Sequence, residues 1–469
     1  MVLFVSIARG QTTYYVWGAQ GNDSWSCLLS APNPGQTDGP CKTLAHAQSL
    51  MRGGSIKQTT VRQGTYSIAS VFNFTSADNG ESWVPFQGET VTMDGGGALG
   101  GYFSAASVSN LTFEGYTLQN MGAGSGRTAD FLISGGSNYT LRWLTFLNCN
   151  GYCIQGQKVQ SSLFDSLTVN GQSPGVNPLT SRPYKVFDFS LGSNNITVSH
   201  CLIQNAQGGG IDFERGPSDG SWTQMTMDRN ILETVNTADC DMGAYYVYDP
   251  DAQSSGLQIT NNYAFNNLGQ SPSNCQEGGH NDIKAFYLDQ AVSGATVSCN
   301  VCNLCGEWAL QLNGGQNNSI QNNIFDLSTV GNKMGLYQND AVTQMSGNVF
   351  SSNIVYSATT FPATFWDFWQ GPPNLLGNTT NLYYSVNGSS IPQGPPMVDA
   401  SPQHADPQFV SVAMNNYNLQ PTSPAYSLIN WKTCPTDQGP LPNPFAGSHS
   451  SVVGTGSSKT VGPGSSMPR

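Results

Sequence analysis

Charge is the scarcest commodity in this chain. Asp, Glu, Lys and Arg make up 10% of 469 residues, with 17 basic side chains against 29 acidic ones and a formal net charge of -12. So thin a basic surface excludes nucleic acid and strongly polyanionic partners, both of which are held by Lys and Arg. A neutral polymer or a small sugar fits better. No run of 18 apolar residues occurs, so no membrane-spanning helix and no membrane partner are expected. Cys299, Cys302 and Cys305 have the spacing of metal thiolates, but no second C-x-x-C and no paired His follows. They read as small buried side chains or disulfide halves, and neither metal nor cofactor is expected.

What is abundant points to strands and turns. Gly numbers 53, and Asn, Ser and Thr are in surplus. Eleven Cys leave at least one thiol over if the rest pair, and Cys27 with Cys41, Cys149 with Cys153 and Cys240 with Cys275 are the expected local clips. Sequons at Asn22, Asn73, Asn110, Asn138, Asn195, Asn317, Asn378 and Asn387 fit a secreted, extracellular protein. Residues 1–11 read either as the remnant of a signal peptide or as an ordinary first strand. The Gly/Ser-rich stretch 446–469 has no apolar period and reads as a flexible tail.

Between these ends one unit recurs. NNITVSHCLIQNA, TQMTMDRNILETV, LQITNNYAFNNLG, ATVSCNVCNLCG, SIQNNIFDLST and QMSGNVFSSNIVYS each alternate apolar residues, turn on a polar corner and close on a short apolar pair. With Cys201, Asn230, Asn262, Asn300, Asn323 and Asn348 as equivalent corners, the spacings are 29, 32, 38, 23 and 25. The low values are one bare coil, and the excess is loop. Asn at the corners suits a left-handed turn, and stacked amides bond along a parallel ladder. Residues 41–52 place Leu44, Ala47, Leu50 and Met51 on one helical face and read as a cap over the open end of the stack. The expected fold is all-β: one single-stranded right-handed parallel β-helix over residues 12–445, with a short N-terminal capping helix, and a monomer.

The segments YYVWGAQGNDS, PCKTLAHAQ and VRQGTY, followed by VTMDGGG and VSNLTFEGYTLQNMG, resemble the opening coils of the pectin-lyase-like superfamily of parallel β-helix proteins. DMGAYYVYD, AFYLDQAVSGATVSCN and WALQLNGGQNNSIQNNIF are similar to coils of glycoside hydrolase families 120 and 141, which act on xylan-derived or fucose-containing glycans. The resemblance implies roles for Asp241, before a Gly-Ala-aromatic strand, and for Asp289 in the Tyr-Leu-Asp strand.

The residues themselves offer a face for such chemistry. Laid over each other, the two coils between 239 and 300 make Asp249 and Asp289 counterparts, and strands stack about 4.8 Å apart. Asp188, Asp249, Asp289 and Gln311 then form a column, with Asp241, Asp249 and Asp289 turned to solvent beside Tyr245 and Tyr287. A carboxyl pair at such spacing suits glycosidic cleavage. Asp241, Asp289 and Asp249 are therefore the candidate catalytic residues. Glu214, Arg215, Tyr245, Tyr287, His280, Gln311 and Trp308 are the candidate carbohydrate-binding ones, although Glu214 also reads simply as the ionic mate of Arg215. Two other readings stand beside hydrolysis. A polysaccharide lyase or uronate epimerase would use Lys284 and Arg215 against a uronate carboxylate, with Asp residues holding Ca2+, and a non-catalytic β-helix would bind glycans through Tyr and Trp.

Overall fold

The computed structural model describes residues 13–98, 100–122, 129–172, 185–238, 241–267, 283–328, 333–337, 345–361, 366–369, 379–388 and 399–446. The expected Cys240–Cys275 pair, His280, residues 1–11 and nearly all of the tail lie outside them. The chain divides into two compact units, Met1–Phe189 with Pro442–Ser451, and Ser190–Leu441 with Val452–Arg469.

Each unit is a parallel β-helix. In the first, Gln58–Val61, Ser82–Pro85, Thr112–Glu114, Thr140–Arg142 and Gln160–Asp165 stack in parallel register. A second parallel stack runs through Gly64–Ser67, Val91–Asp94, Thr117–Gln119, Thr145–Cys149 and Thr168–Gln172. Alternation puts every second side chain inside, where Phe103 and Phe131 stack at 5.6 Å. Each such buried ring contributes about 1.5–3 kcal/mol.

The helix spans Leu44–Gly53, starting three residues later than the periodicity suggests. The reason is its cap: the Thr43 side chain accepts from the His46 amide, and Thr43 is itself fixed by Asp23. Leu44, Ala47, Gln48 and Met51 are buried, and Arg52 in the last turn forms a two-pronged ion pair with Asp78 at 2.6 and 2.7 Å. Beneath that pair Glu81 is fully buried and accepts from the Trp83 indole at 3.0 Å. Burial, reinforced by the Asp78 charge, pushes its carboxyl up to about 8.

In the second unit each coil supplies three strands, and the corner between two of them carries a ladder. Asn262 illustrates it. Its Oδ1 accepts from the backbone and side-chain amides of Asn230 at 2.9 and 3.0 Å. Its Nδ2 donates to Met227 O and to Asn300 Oδ1. The column runs Cys201, Asn230, Asn262, Asn300, Asn323, Asn353, Asn381 and ends on Asp399, whose carboxylate takes both Asn381 amides. Asn348, expected in this column, instead bonds with Asn318 and Gly315 at another corner. The two roles foreseen for Asn are also divided. The left-handed turn falls on the preceding residue (His200, Arg229, Asn261, Cys299, Asn322, Ser352), which frees the ladder Asn to bond.

The disulfides Cys27–Cys41 and Cys149–Cys153 form as expected. Cys302–Cys305 clips a single strand, and Cys299–Cys434 joins a corner of the stack to the C-terminal segment. Cys201, buried at the head of the ladder, forms no disulfide among the described residues.

Candidate functional site

Four stacked strands of the second unit carry the candidate residues: Ile211–Glu214, Met242–Asp249, Ile283–Gln290 and Trp308–Asn313. Their register corrects the expected one. Tyr245 lies beside Phe286, Tyr246 beside Tyr287, Tyr248 beside Asp289, and Asp249 beside Gln290. A displacement of one residue exchanges the two faces of a strand. Tyr245 therefore points into the core, fully buried, stacked on Phe286 at 5.1 Å and donating to the carbonyls of Asn230 and Tyr263. It faces no substrate.

Asp249 is likewise removed from solvent. It is 0% exposed, accepts from the Ser254 amide at 2.6 Å and pairs with Arg215 at 3.2 Å. Arg215, 2% exposed, spends its remaining donors on Asp251 and on the carbonyls of Asp219 and Gly220. The mate of Arg215 is thus Asp249 with Asp251, not Glu214. This pair fastens a loop, and neither partner is disposed to meet a sugar.

The opposite face gathers two adjacent columns. One is Asp212, Tyr246, Tyr287 and Gln311; the other is Glu214, Tyr248, Asp289 and Asn313. Tyr246 and Tyr287 lie in contact at 5.1 Å, forming with Met242 an apolar cluster of their own. Asp289 is held by three donors: the Tyr246 hydroxyl on Oδ2, and the Asn313 amide and Gln290 N–H on Oδ1, each at 2.7 Å. Carboxylate oxygens of Asp212 and Glu214 approach within 4.8 Å of each other. Glu214 and Asp289 are two strands apart, about 9.6 Å by the stacking distance.

The electrostatics bind these groups into one site. Burial raises the Tyr246 hydroxyl well above its usual range, and the charges of Asp289, Asp212 and Glu214 add to it. Tyr248, standing between Asp289 and Glu214, is raised for the same reasons. Two buried amide oxygens, Gln311 Oε1 and Asn313 Oδ1, have no hydrogen-bond partner among the described residues. An unmatched buried acceptor is costly, and here Asn313 borders Asp289 while Gln311 lies beside Tyr287 in register.

At the edge of the face Lys284, 0% exposed, donates to Asp241 at 2.8 Å and lies 4.3 Å from the Tyr287 ring centre. Trp308, nearly buried, sits beside Lys284 in register. Asp241 has a left-handed backbone and a side chain 27% exposed, so it is reachable from solvent. The structure thus brings together Asp289, Glu214, Tyr287 and Gln311, with Asp241 and Trp308 at the rim, and separates Tyr245, Asp249 and Arg215 from them. Sequence reasoning passed over Tyr246, Tyr248 and Asp212. The signal available was the G-I-D-F-E strand, whose Asp and Glu share a face at period two.

No protein-family model and no curated protein matches the chain. Among solved structures, the catalytic domain of a GH87 α-1,3-glucanase in complex with nigerose is similar at TM-score 0.44 and 10% identity, covering 77% of this chain and 68% of that one. An alginate lyase gives 0.36 and 12%, covering 68% and 84%. A rhamnogalacturonan lyase gives 0.30 and 14%, covering 91% and 97%. No site residue is carried across from any of them; what the chain is, by its own strand register, is a parallel β-helix.

Proposed function

We propose that this chain is a secreted glycoside hydrolase acting on a neutral or weakly charged glycan, of the xylan-derived or fucose-containing type, through Asp289 and Glu214. The observation that carries the reading is their placement in one column on the face opposite the core, two strands apart, with Tyr248 between, Asp289 being 6% exposed and Glu214 half-buried. Glu214, beside Asp212, delivers a proton to the glycosidic oxygen as its bond to the anomeric carbon breaks. Asp289, oriented by Tyr246, Asn313 and the Gln290 amide, takes a proton from the water that attacks that carbon from the other side. A separation near 9.6 Å leaves room for this water and fits inversion of configuration. Gln311 and Asn313 supply acceptors for sugar hydroxyls, and Tyr287 an aromatic edge. Asp241, neutralised by Lys284, positions substrate at the rim. Of the cations named for the lyase reading, Arg215 is engaged by Asp249 and Asp251, and Lys284 by Asp241.

The test is turnover of aryl glycosides and of plant and algal polysaccharides by the purified chain beside Asp289→Asn, Glu214→Gln and Asp241→Asn. Loss in the first two, with a weaker effect in the third and an inverted anomer by NMR, supports the assignment. Full activity in Asp289→Asn, or products absorbing through a new double bond, overturns it.

A further inference from the structure

A second recess lies within the same unit, on a different sheet. Tyr263, Val301 and Ile324 are register partners on three successive strands and form its floor. One wall carries Tyr417 and Tyr426. The other is the strap Trp431–Gln438, anchored at several points. Cys434 is bonded to Cys299, Asn322 exchanges hydrogen bonds with the Lys432 backbone at 2.5 and 3.0 Å, Asp437 pairs with Arg229 at 2.9 Å, and the Gly439 amide donates to Arg229 O. The recess has a volume of about 240 Å³.

Its lining defines what it takes. Among the described residues no Asp, Glu, Lys, Arg or His borders it; the polar groups are amides and hydroxyls, and the rest is aromatic, aliphatic or the Cys299–Cys434 disulfide. A charged ligand would give up its hydration there with nothing to offset the cost. Aromatic faces are electron-rich and match the electropositive C–H face of a pyranose, while amides and hydroxyls match its rim. The Tyr263 hydroxyl is pushed up to about 12 by burial alone, with no protein group bonded to it among the described residues. It is a hydroxyl of the floor itself, with its donor not engaged by the described residues. The volume falls below the roughly 300 Å³ at which pockets for drug-sized ligands begin, which suits one or two sugar rings. A wall fixed in advance by a disulfide and an ion pair lowers the ordering cost of binding.

We infer that this recess is a second, non-catalytic site for a neutral glycan, gripped between Tyr426 and the disulfide-anchored strap and reached independently of the Asp289 face. The assignment rests on the recess alone and stands whether or not the hydrolase reading does.

The experiment measures binding of xylohexaose, cellohexaose and laminarihexaose, with trigalacturonate as the anionic control, by titration calorimetry and saturation-transfer NMR. It uses the full chain carrying Asp289→Asn, so that turnover does not consume the probe. At least one neutral hexasaccharide is expected to bind, with affinity at least tenfold weaker after Tyr426→Ala and several-fold weaker after Tyr263→Phe. The latter removes only one oxygen and leaves the packing in place. Binding unchanged by both substitutions, trigalacturonate bound as tightly as the neutral probes, or no neutral probe bound at all, overturns the assignment. Persistent turnover in Asp289→Asn would instead count against the catalytic reading and leave this one untouched.

Discussion

Two columns of the second unit stack side chains at the same interval to opposite ends. Along the corner from Cys201 to Asp399, donors are matched to acceptors rung by rung. Along the face from Glu214 to Asn313, carboxylates crowd together and two amide oxygens go unmatched among the described residues. The first arrangement holds the coils; the second leaves capacity to hold something else. Satisfied stacking thus marks scaffold, and unsatisfied stacking marks a site, even where the residue types are alike.

The largest expected break in this comparison is catalytic. Asp289→Asn keeps the shape and the bonds from Asn313 and Gln290 on the remaining oxygen, while its NH2 turns the Tyr246 hydroxyl from donor to acceptor. Turnover should fall by about 10³-fold or more, the scale of losing a general base, with the melting temperature little moved. Asp249→Asn should do the reverse. It leaves Arg215 short of a buried partner and should cost about 3 kcal/mol in denaturant unfolding, with specific activity of the folded protein intact. Equal activity losses in the two variants would erase the distinction between them.

Next comes the ladder itself. Asn262→Ala strands the Asn230 amide and Met227 carbonyl, and should destabilise by about 2–4 kcal/mol with no change in KM. Gln311→Ala, by contrast, removes an acceptor that no described residue uses. Stability should hold or rise slightly while KM rises several-fold.

The smallest effect lies in the first unit and concerns pH. Glu81 binds its proton more tightly folded, at about 8, than at its ordinary value of 4.5. Between those values the folded state holds a proton that the unfolded one has lost, so its contribution to stability falls as pH rises and levels off above about 8. Glu81→Gln keeps an uncharged donor in place and should flatten that part of the melting temperature profile between pH 5 and 9.

Much of the architecture was legible. Alternation and recurring Asn specify stacked parallel strands, and the corner residues from Cys201 to Asn323 fall where the spacing puts them. The site was legible only in part, because corner spacing does not fix strand register. Tyr248 and Asp289 differ by 41 positions, whereas Gln258 and Thr296, just past the turn, differ by 38. The earlier turn is three residues longer. That surplus carries Asp249 one place beyond Asp289, onto the buried side with Arg215, and puts Tyr246 rather than Tyr245 at the face. Asn348 misled for a similar reason: Ser-Gly-Asn and Ser-Ser-Asn are near repeats within one coil, and the ladder takes Asn353.

The ladder also restricts how such a chain can grow. Each Asn addresses the coil before it and the coil after it and no other, so a whole turn spliced in with its own corner amide would find both handshakes waiting. A partial turn would find neither. Insertions are thus free to enlarge the loops between strands, as spacings from 23 to 38 attest, while the axis itself lengthens only in complete steps until a carboxylate such as Asp399, which accepts and cannot donate onward, brings it to a stop.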